Sequence, residues 1–200
     1  MTDVVLYATD TMADWEYGHL TAGLAWVEDG PYRLRVLGDG PDQVTTKGRL
    51  RLVTDGDLGA VDEDDTAMLV LPGADTWGDG HEAALALAER LLARGVPVAA
   101  ICGATYGLAR VGLLDERDHT SNAPDFLPAT GYAGADRYRD VAVVEDRDLI
   151  TAGATRPVEF AAAVFRRLAV LPPSVVDAWE GLHTTGDRRY FDDLMAAGAA

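Results

Sequence analysis

Cys102 is the one cysteine of the chain, and its neighbours suit a thiol that does chemistry. The apolar run VPVAAI leads into it and Gly103 follows, so the chain passes from a buried strand straight into a helix with the thiol at the bend. That is the layout of a nucleophile elbow, in which a sharp turn exposes the reactive group above a sheet. The helix N-terminus adds unpaired N–H groups and partial positive charge, which favour thiolate and lower the cysteine pKa. A free cysteine at a strand end is also a common small core residue, and the local sequence accommodates both readings.

The elements around the thiol follow from apolar runs and turn residues. VVLYAT is a strand, and TMADWEYGHLTAGLAWVED is a helix in which Thr11 and Asp14 have capping-box spacing. YRLRVLG is a second strand, and VTTKGRL with RLVT forms a pair around a turn. AMLVLPG is an apolar run suited to a central parallel strand that ends at Pro-Gly. HEAALALAERLLARG is a helix with Leu85, Ala88, Leu91 and Leu92 on one face and a stop at Gly95. After Cys102, GATYGLARVGLL is a short helix with Leu108 and Val111 inward and two glycines allowing close packing on the sheet. VAVVED and DLITAG are two strands joined by an Asp-rich turn, Pro157 opens a further helix, and the last third is helical.

Strands alternating with helices, apolar without strict alternation, predict an α/β fold whose mostly parallel sheet is covered on both faces, in one domain spanning residues 1–200. Ligands gather at the carboxyl ends of such strands. Interest therefore centres on the loops after VVLYAT, AMLVLPG and VPVAAI.

Composition narrows the function. A formal charge of -16, from 33 acidic and 17 basic residues, repels polyanions, so nucleic acid is not an expected partner. No apolar run has the length of a membrane span, and MTDVVLYATD lacks the features of a signal peptide, so a cytoplasmic location is expected. His19, His81, His119 and His183 are scattered without metal-site spacing; no metal and no cofactor are expected.

The stretch VPVAAICGATYGLARVGLL resembles the elbow of the PfpI-type class I glutamine amidotransferase-like superfamily, which contains the parkinsonism-associated protein deglycase. LVLPGA resembles that family's strand ending in Pro-Gly-Gly, and DWEYGHL its first loop, where an acidic residue stands beside the cysteine. The three occur in the family's order, and HTSN and LITAGAT extend the likeness to about residue 170. The resemblance implies a flavodoxin-like three-layer α/β/α sandwich, a small-molecule substrate and a homodimer. It also implies that Glu16 is a protonated partner of the Cys102 sulfur, its pKa raised by a partly apolar cleft. Without the family, Glu16 is an acidic residue in a first helical turn, favoured there by the helix dipole.

In LPGA the backbone N–H groups of Gly73 and Ala74, with that of Gly103, offer a cradle for an oxyanion; a Pro-Gly turn that merely ends a strand is the plain alternative. Ala74 stands where the family usually has a second glycine. Trp77 and Tyr106 could wall a small pocket, or serve packing. Family members with peptidase or glyoxalase activity commonly use a histidine after the cysteine or in the loop after the next strand. Here Gly103 follows Cys102, and HTSN puts Asn122 nearest the histidine slot with His119 three residues earlier. Asn122 cannot act as a base, and His119 reaches the site only in a different loop register; otherwise it is solvent-exposed or strand-packed. Glutaminases of the superfamily use a late His-x-Glu, whereas His183 is followed at the glutamate place by Thr185, which disfavours ammonia production.

Three functions compete. One is a hydrolase or lyase in which the thiolate adds to an electrophilic carbon of a 2-oxoaldehyde, amide or isonitrile. The second is a redox or stress-response protein whose thiol is oxidised. The third is a holdase with a vestigial site.

Overall fold

In the computed structural model, residues 1–27, 30–40 and 42–198 are described. The apolar runs form a seven-stranded sheet built from β1 (Thr2–Ala8), β2 (Tyr32–Gly38), β5 (Gly56–Asp57), β6 (Thr66–Leu71), β7 (Val98–Ile101), β8 (Val143–Asp146) and β9 (Leu149–Ala152). Its order is β5-β2-β1-β6-β7-β9-β8, and every neighbouring pair is parallel except β8 with β9. A separate antiparallel hairpin, β3 (Gln43–Thr45) with β4 (Arg51–Val53), follows β2.

Successive strand residues feed two cores, which is why these strands are apolar throughout. Val4, Leu6, Ala8, Met68, Val70, Ala99 and Ile101 pack on one face beneath α1 (Asp14–Leu24), α4 (Pro157–Leu168) and α5 (Pro173–Thr185). Val5, Tyr7, Leu69, Leu71, Val98 and Ala100 pack on the other beneath α2 (Glu82–Ala93) and α3 (Gly103–Arg110). The result is a three-layer α/β/α sandwich. A last helix, α6 (Arg188–Gly198), lies on α5 and buries no residue completely. Among the described residues, no helix is long and apolar enough to cross a membrane.

Four local expectations are corrected. The capping box does not form: α1 begins at Asp14 after Ala13, Thr11 has a positive φ of 64°, and the Asp14 carboxylate accepts instead from the Gly48 N–H at 2.6 Å. The expected helix also extends to Glu28 and Asp29, which lie outside the described residues, whereas α1 ends at Leu24. Val111 is exposed, because α3 ends one residue earlier and turns it away from the sheet. The α3 glycines Gly103 and Gly107 admit the ring of Trp77, from the loop after β6, rather than the sheet itself.

Because β1, β6, β7 and β9 are adjacent, the segments leaving their carboxyl ends meet above the sheet. Those segments carry Glu16, Gly73, Cys102 and Ala154 respectively.

Candidate active site

Cys102 joins β7 to α3 with φ 59° and ψ -122°, a conformation costing a residue with a side chain about 1–3 kcal/mol. The surroundings hold it there. Its N–H donates to the Ala152 carbonyl at 2.9 Å, continuing the β7–β9 ladder, and its own carbonyl accepts from the Thr105 N–H at 3.1 Å and Oγ1 at 2.6 Å. Strand register thus runs up to the cysteine and helix pairing begins at it, which forces the turn.

Glu16 lies in the first turn of α1, fully buried, and its Oε2 accepts from the Gly73 N–H at 2.6 Å. Oε1 is buried without a hydrogen-bond partner, and the Cys102 side chain lies beside the carboxyl group across Gly73, near enough to act on its ionisation. The two acids close around position 73. A methyl group there would stand 2.7 Å from Glu16 Oε2, 2.8 Å from Cys102 Cβ and 2.9 Å from Sγ, so only glycine fits.

Burial dominates the electrostatics of this pair. It raises Glu16 to about 7, against weaker lowering by the Cys102 side chain, by the hydrogen bond from Gly73 and by the charge of Lys47. It also pushes Cys102 up to about 11, with the Glu16 charge adding to the rise. The expectation of a lowered thiol is therefore corrected: the Asn122 and Gly103 donors do favour the anionic sulfur, but removal from water and a neighbouring acid outweigh them. Between those two pH values the pair carries one negative charge and one proton.

Asn122 is the side chain that reaches the sulfur from the third position. Its Oδ1 accepts from the Ala154 N–H at 2.9 Å, which turns Nδ2 toward Sγ at 3.5 Å. His119 is corrected as a candidate. Its ring is buried, with Nδ1 at 2.8 Å from the Arg117 carbonyl and Nε2 at 3.2 Å from the Tyr132 hydroxyl, and burial lowers its pKa. An isolated bridge between His119 and Tyr138 pins the loop in this register, so the imidazole belongs to the packing beside the sheet.

Above the sulfur opens a cavity of about 400 Å³, lined by Cys102, Gly103, Asn122 and Ala74 with Asp75 and Gly78 and by the aromatic rings of Trp77, Tyr106 and Phe126. Trp77 is both wall and core: it is 2% exposed, its Nε1 donates to the Pro72 carbonyl at 2.9 Å, and it stacks on His81. Gly73 is corrected as an oxyanion donor, since Glu16 occupies its N–H. The Asp75 N–H is likewise taken, by Thr11 Oγ1 at 2.9 Å, whereas among the described residues the Ala74 N–H between them has no acceptor. The Gly103 N–H is directed at the sulfur.

Phe126, Asp75 and Ala154 escape sequence reasoning. Phe126 stands in a polar loop without periodicity, and the other two are ordinary loop residues whose proximity depends on strand order. His19, expected on a surface or dimer-facing helix, is partly buried against Trp179 and His183 of α5.

Residues 2–167 match the DJ-1/PfpI family. The chain is 37% identical over 200 residues to the "Uncharacterized protease YoaZ" of Bacillus subtilis (strain 168), covering 96% of this chain and 95% of that one. It is similar to the crystal structure of a thiJ/pfpI family protein from Bacillus anthracis, with a TM-score of 0.92 at 34% identity over 98% of this chain and 96% of that one. A DJ-1 superfamily protein from Agrobacterium tumefaciens gives a TM-score of 0.81 at 28% identity over 94% of this chain and all (100%) of that one.

Proposed function

Because the chain belongs to the DJ-1/PfpI family, we propose that it is a cysteine-dependent enzyme acting on a small electrophilic carbonyl compound of the 2-oxoaldehyde type. The observation that carries this reading is the buried Glu16 carboxyl beside the Cys102 thiol across Gly73. As Sγ bonds to the carbonyl carbon, the thiol proton passes to the Glu16 carboxylate, and the carbon–oxygen double bond opens onto oxygen. The free Ala74 N–H meets the developing oxyanion, which then takes a proton from water. A carboxyl raised to about 7 is half ionised at neutral pH, so it can accept that proton and return it.

Burial supports carbonyl addition over amide cleavage. Glu16 is fully buried and does not line the cavity, so it exchanges a proton with sulfur but not with a leaving amine across the substrate. Asn122, in the third position, has no basic site to take up a proton. The protease name of the Bacillus subtilis relative therefore carries over only weakly, and glutaminase chemistry is equally unsupported. The aromatic wall of Trp77, Tyr106 and Phe126 suits a substrate with a short apolar or aromatic substituent.

A redox role is the second reading, favoured by the Asn122 and Gly103 donors, which suit an oxidised sulfur as they suit a thiolate. A panel of 2-oxoaldehydes, amides and isonitriles assayed with the wild type and Cys102→Ala tests the first. Equal rates for the two proteins remove the enzyme reading, and Cys102-specific mass gain after mild peroxide supports the second. The protein is read as a homodimer by family likeness, which sedimentation tests.

A further inference from the structure

Lys47 is the chain's one lysine; every other member of its 17 Lys and Arg residues is arginine. It sits at the tip of the β3–β4 hairpin, which stands outside the main sheet and is fastened to the segment after β1. Thr45 N–H donates to Asp10 Oδ1 at 2.7 Å, and Thr11 N–H to the Thr45 carbonyl at 2.8 Å. Lys47 N–H donates to the Met12 carbonyl at 2.9 Å, and Gly48 N–H to Asp14 Oδ2 at 2.6 Å. A methyl group at position 48 would stand 2.9 Å from that same oxygen, so the anchorage requires glycine.

From this fixed tip the side chain crosses to the loop after β6, where Nζ meets Asp75 Oδ1 at 2.6 Å. Asp75 lines the cavity over Cys102. One cation thus ties the hairpin to the rim, two residues beyond the glycine that separates Glu16 from the sulfur.

The charge relations have a clear direction. Cys102 and Glu16 act on each other, the Lys47 charge lowers Glu16, and Lys47 in turn is raised by Asp75, Cys102 and Glu16. Asp14, two residues before Glu16, is turned to Thr46 and Gly48 of the hairpin. Asp75 is mostly exposed, so water screens its charge, whereas Glu16 is fully buried. A buried negative charge is costly unless a positive one compensates it.

We propose that Lys47 is an electrostatic positioning residue of the Cys102 site: its ammonium, held by Asp75 at the cavity rim, compensates the negative charge that Glu16 and Cys102 share. The proposal rests on reading those two as a working pair. An ammonium suits the task because it is a compact charge that one carboxylate oxygen can anchor.

The test is the rate of Cys102 alkylation by iodoacetamide across pH, for the wild type, Lys47→Met, Lys47→Arg and Glu16→Gln, with Lys47→Gln should the Met variant lose its fold. Lys47→Met is expected to move the midpoint up by about half a pH unit, an approximately threefold slower reaction on the rising limb. Lys47→Arg restores the wild-type midpoint, and about 1 M salt narrows the gap because the ammonium is partly exposed. A neutral variant with an unmoved midpoint, or an Arg variant shifted as far as the Met variant, overturns the proposal. A Glu16→Gln profile identical to the wild type refutes the pair itself and takes the proposal with it.

Discussion

Replacing Glu16 by Gln keeps the shape of the side chain and an oxygen for the Gly73 N–H, but removes the ionisation. Burial raises the carboxyl from its ordinary 4.5 to about 7, so the folded protein holds this proton more tightly than the unfolded chain does. The sign follows. The wild type has its full contribution from this group below about pH 4.5 and loses it as pH rises through about 7. At 1.36 kcal/mol for each pH unit, the loss amounts to about 3 kcal/mol, and full burial of Glu16 leaves no water to screen it. Glu16→Gln escapes this loss. Urea unfolding of both proteins should therefore show the variant gaining on the wild type by about 3 kcal/mol between about pH 5 and about pH 8. Beyond that the gap stays flat until the thiol begins to titrate in the unfolded chain, near 9. Comparing the two proteins cancels the opposite contribution of Asp14 and Asp146, whose hydrogen bonds lower their pKa values. A gap that does not change with pH over that window would refute the assignment of Glu16 as a buried, raised acid.

Three further outcomes follow from contacts already described. Gly73→Ala puts a methyl group within 3 Å of both members of the pair, so it should lower Cys102 alkylation at neutral pH at least tenfold and destabilise the fold by about 1–3 kcal/mol, read by a mass-based rate and a thermal melt. Asn122→Asp keeps the acceptor for Ala154 but replaces the donor facing sulfur by a negative charge, so alkylation should need a pH at least about one unit higher. His119→Ala should leave turnover unchanged while lowering stability by about 1–3 kcal/mol, since it strips partners from the Arg117 carbonyl and the Tyr132 hydroxyl; a tenfold loss of turnover would restore His119 to the site.

How much was legible in advance depended on the range of the interactions involved. The parallel strands, the helix stop at Gly95 and the turn at Cys102 could be read because apolar runs and turn residues act over a few neighbours. Thr11 shows where that reasoning stops. Its capping spacing is a local signal, yet the Gly48 and Asp75 N–H groups come from distant segments and claim Asp14 and Thr11, so the cap is lost to tertiary hydrogen bonds. The same limit applies to Val111, where the helix ends one residue too soon for its side chain to turn inward.

The sequence by itself determined that a cysteine lies at a strand-to-helix bend, that an acidic residue opens the first helix, and that a parallel sheet brings such positions to one edge. Only the tertiary structure decided what those groups are chemically. Burial raised the thiol instead of lowering it, Glu16 claimed the Gly73 N–H and left Ala74 free, and the bridge of His119 to Tyr138 chose Asn122 as the sulfur's neighbour. A pKa and a free donor depend on the removal of water and on which distant groups come within about 3 Å, and neither is written in the order of residues along a chain.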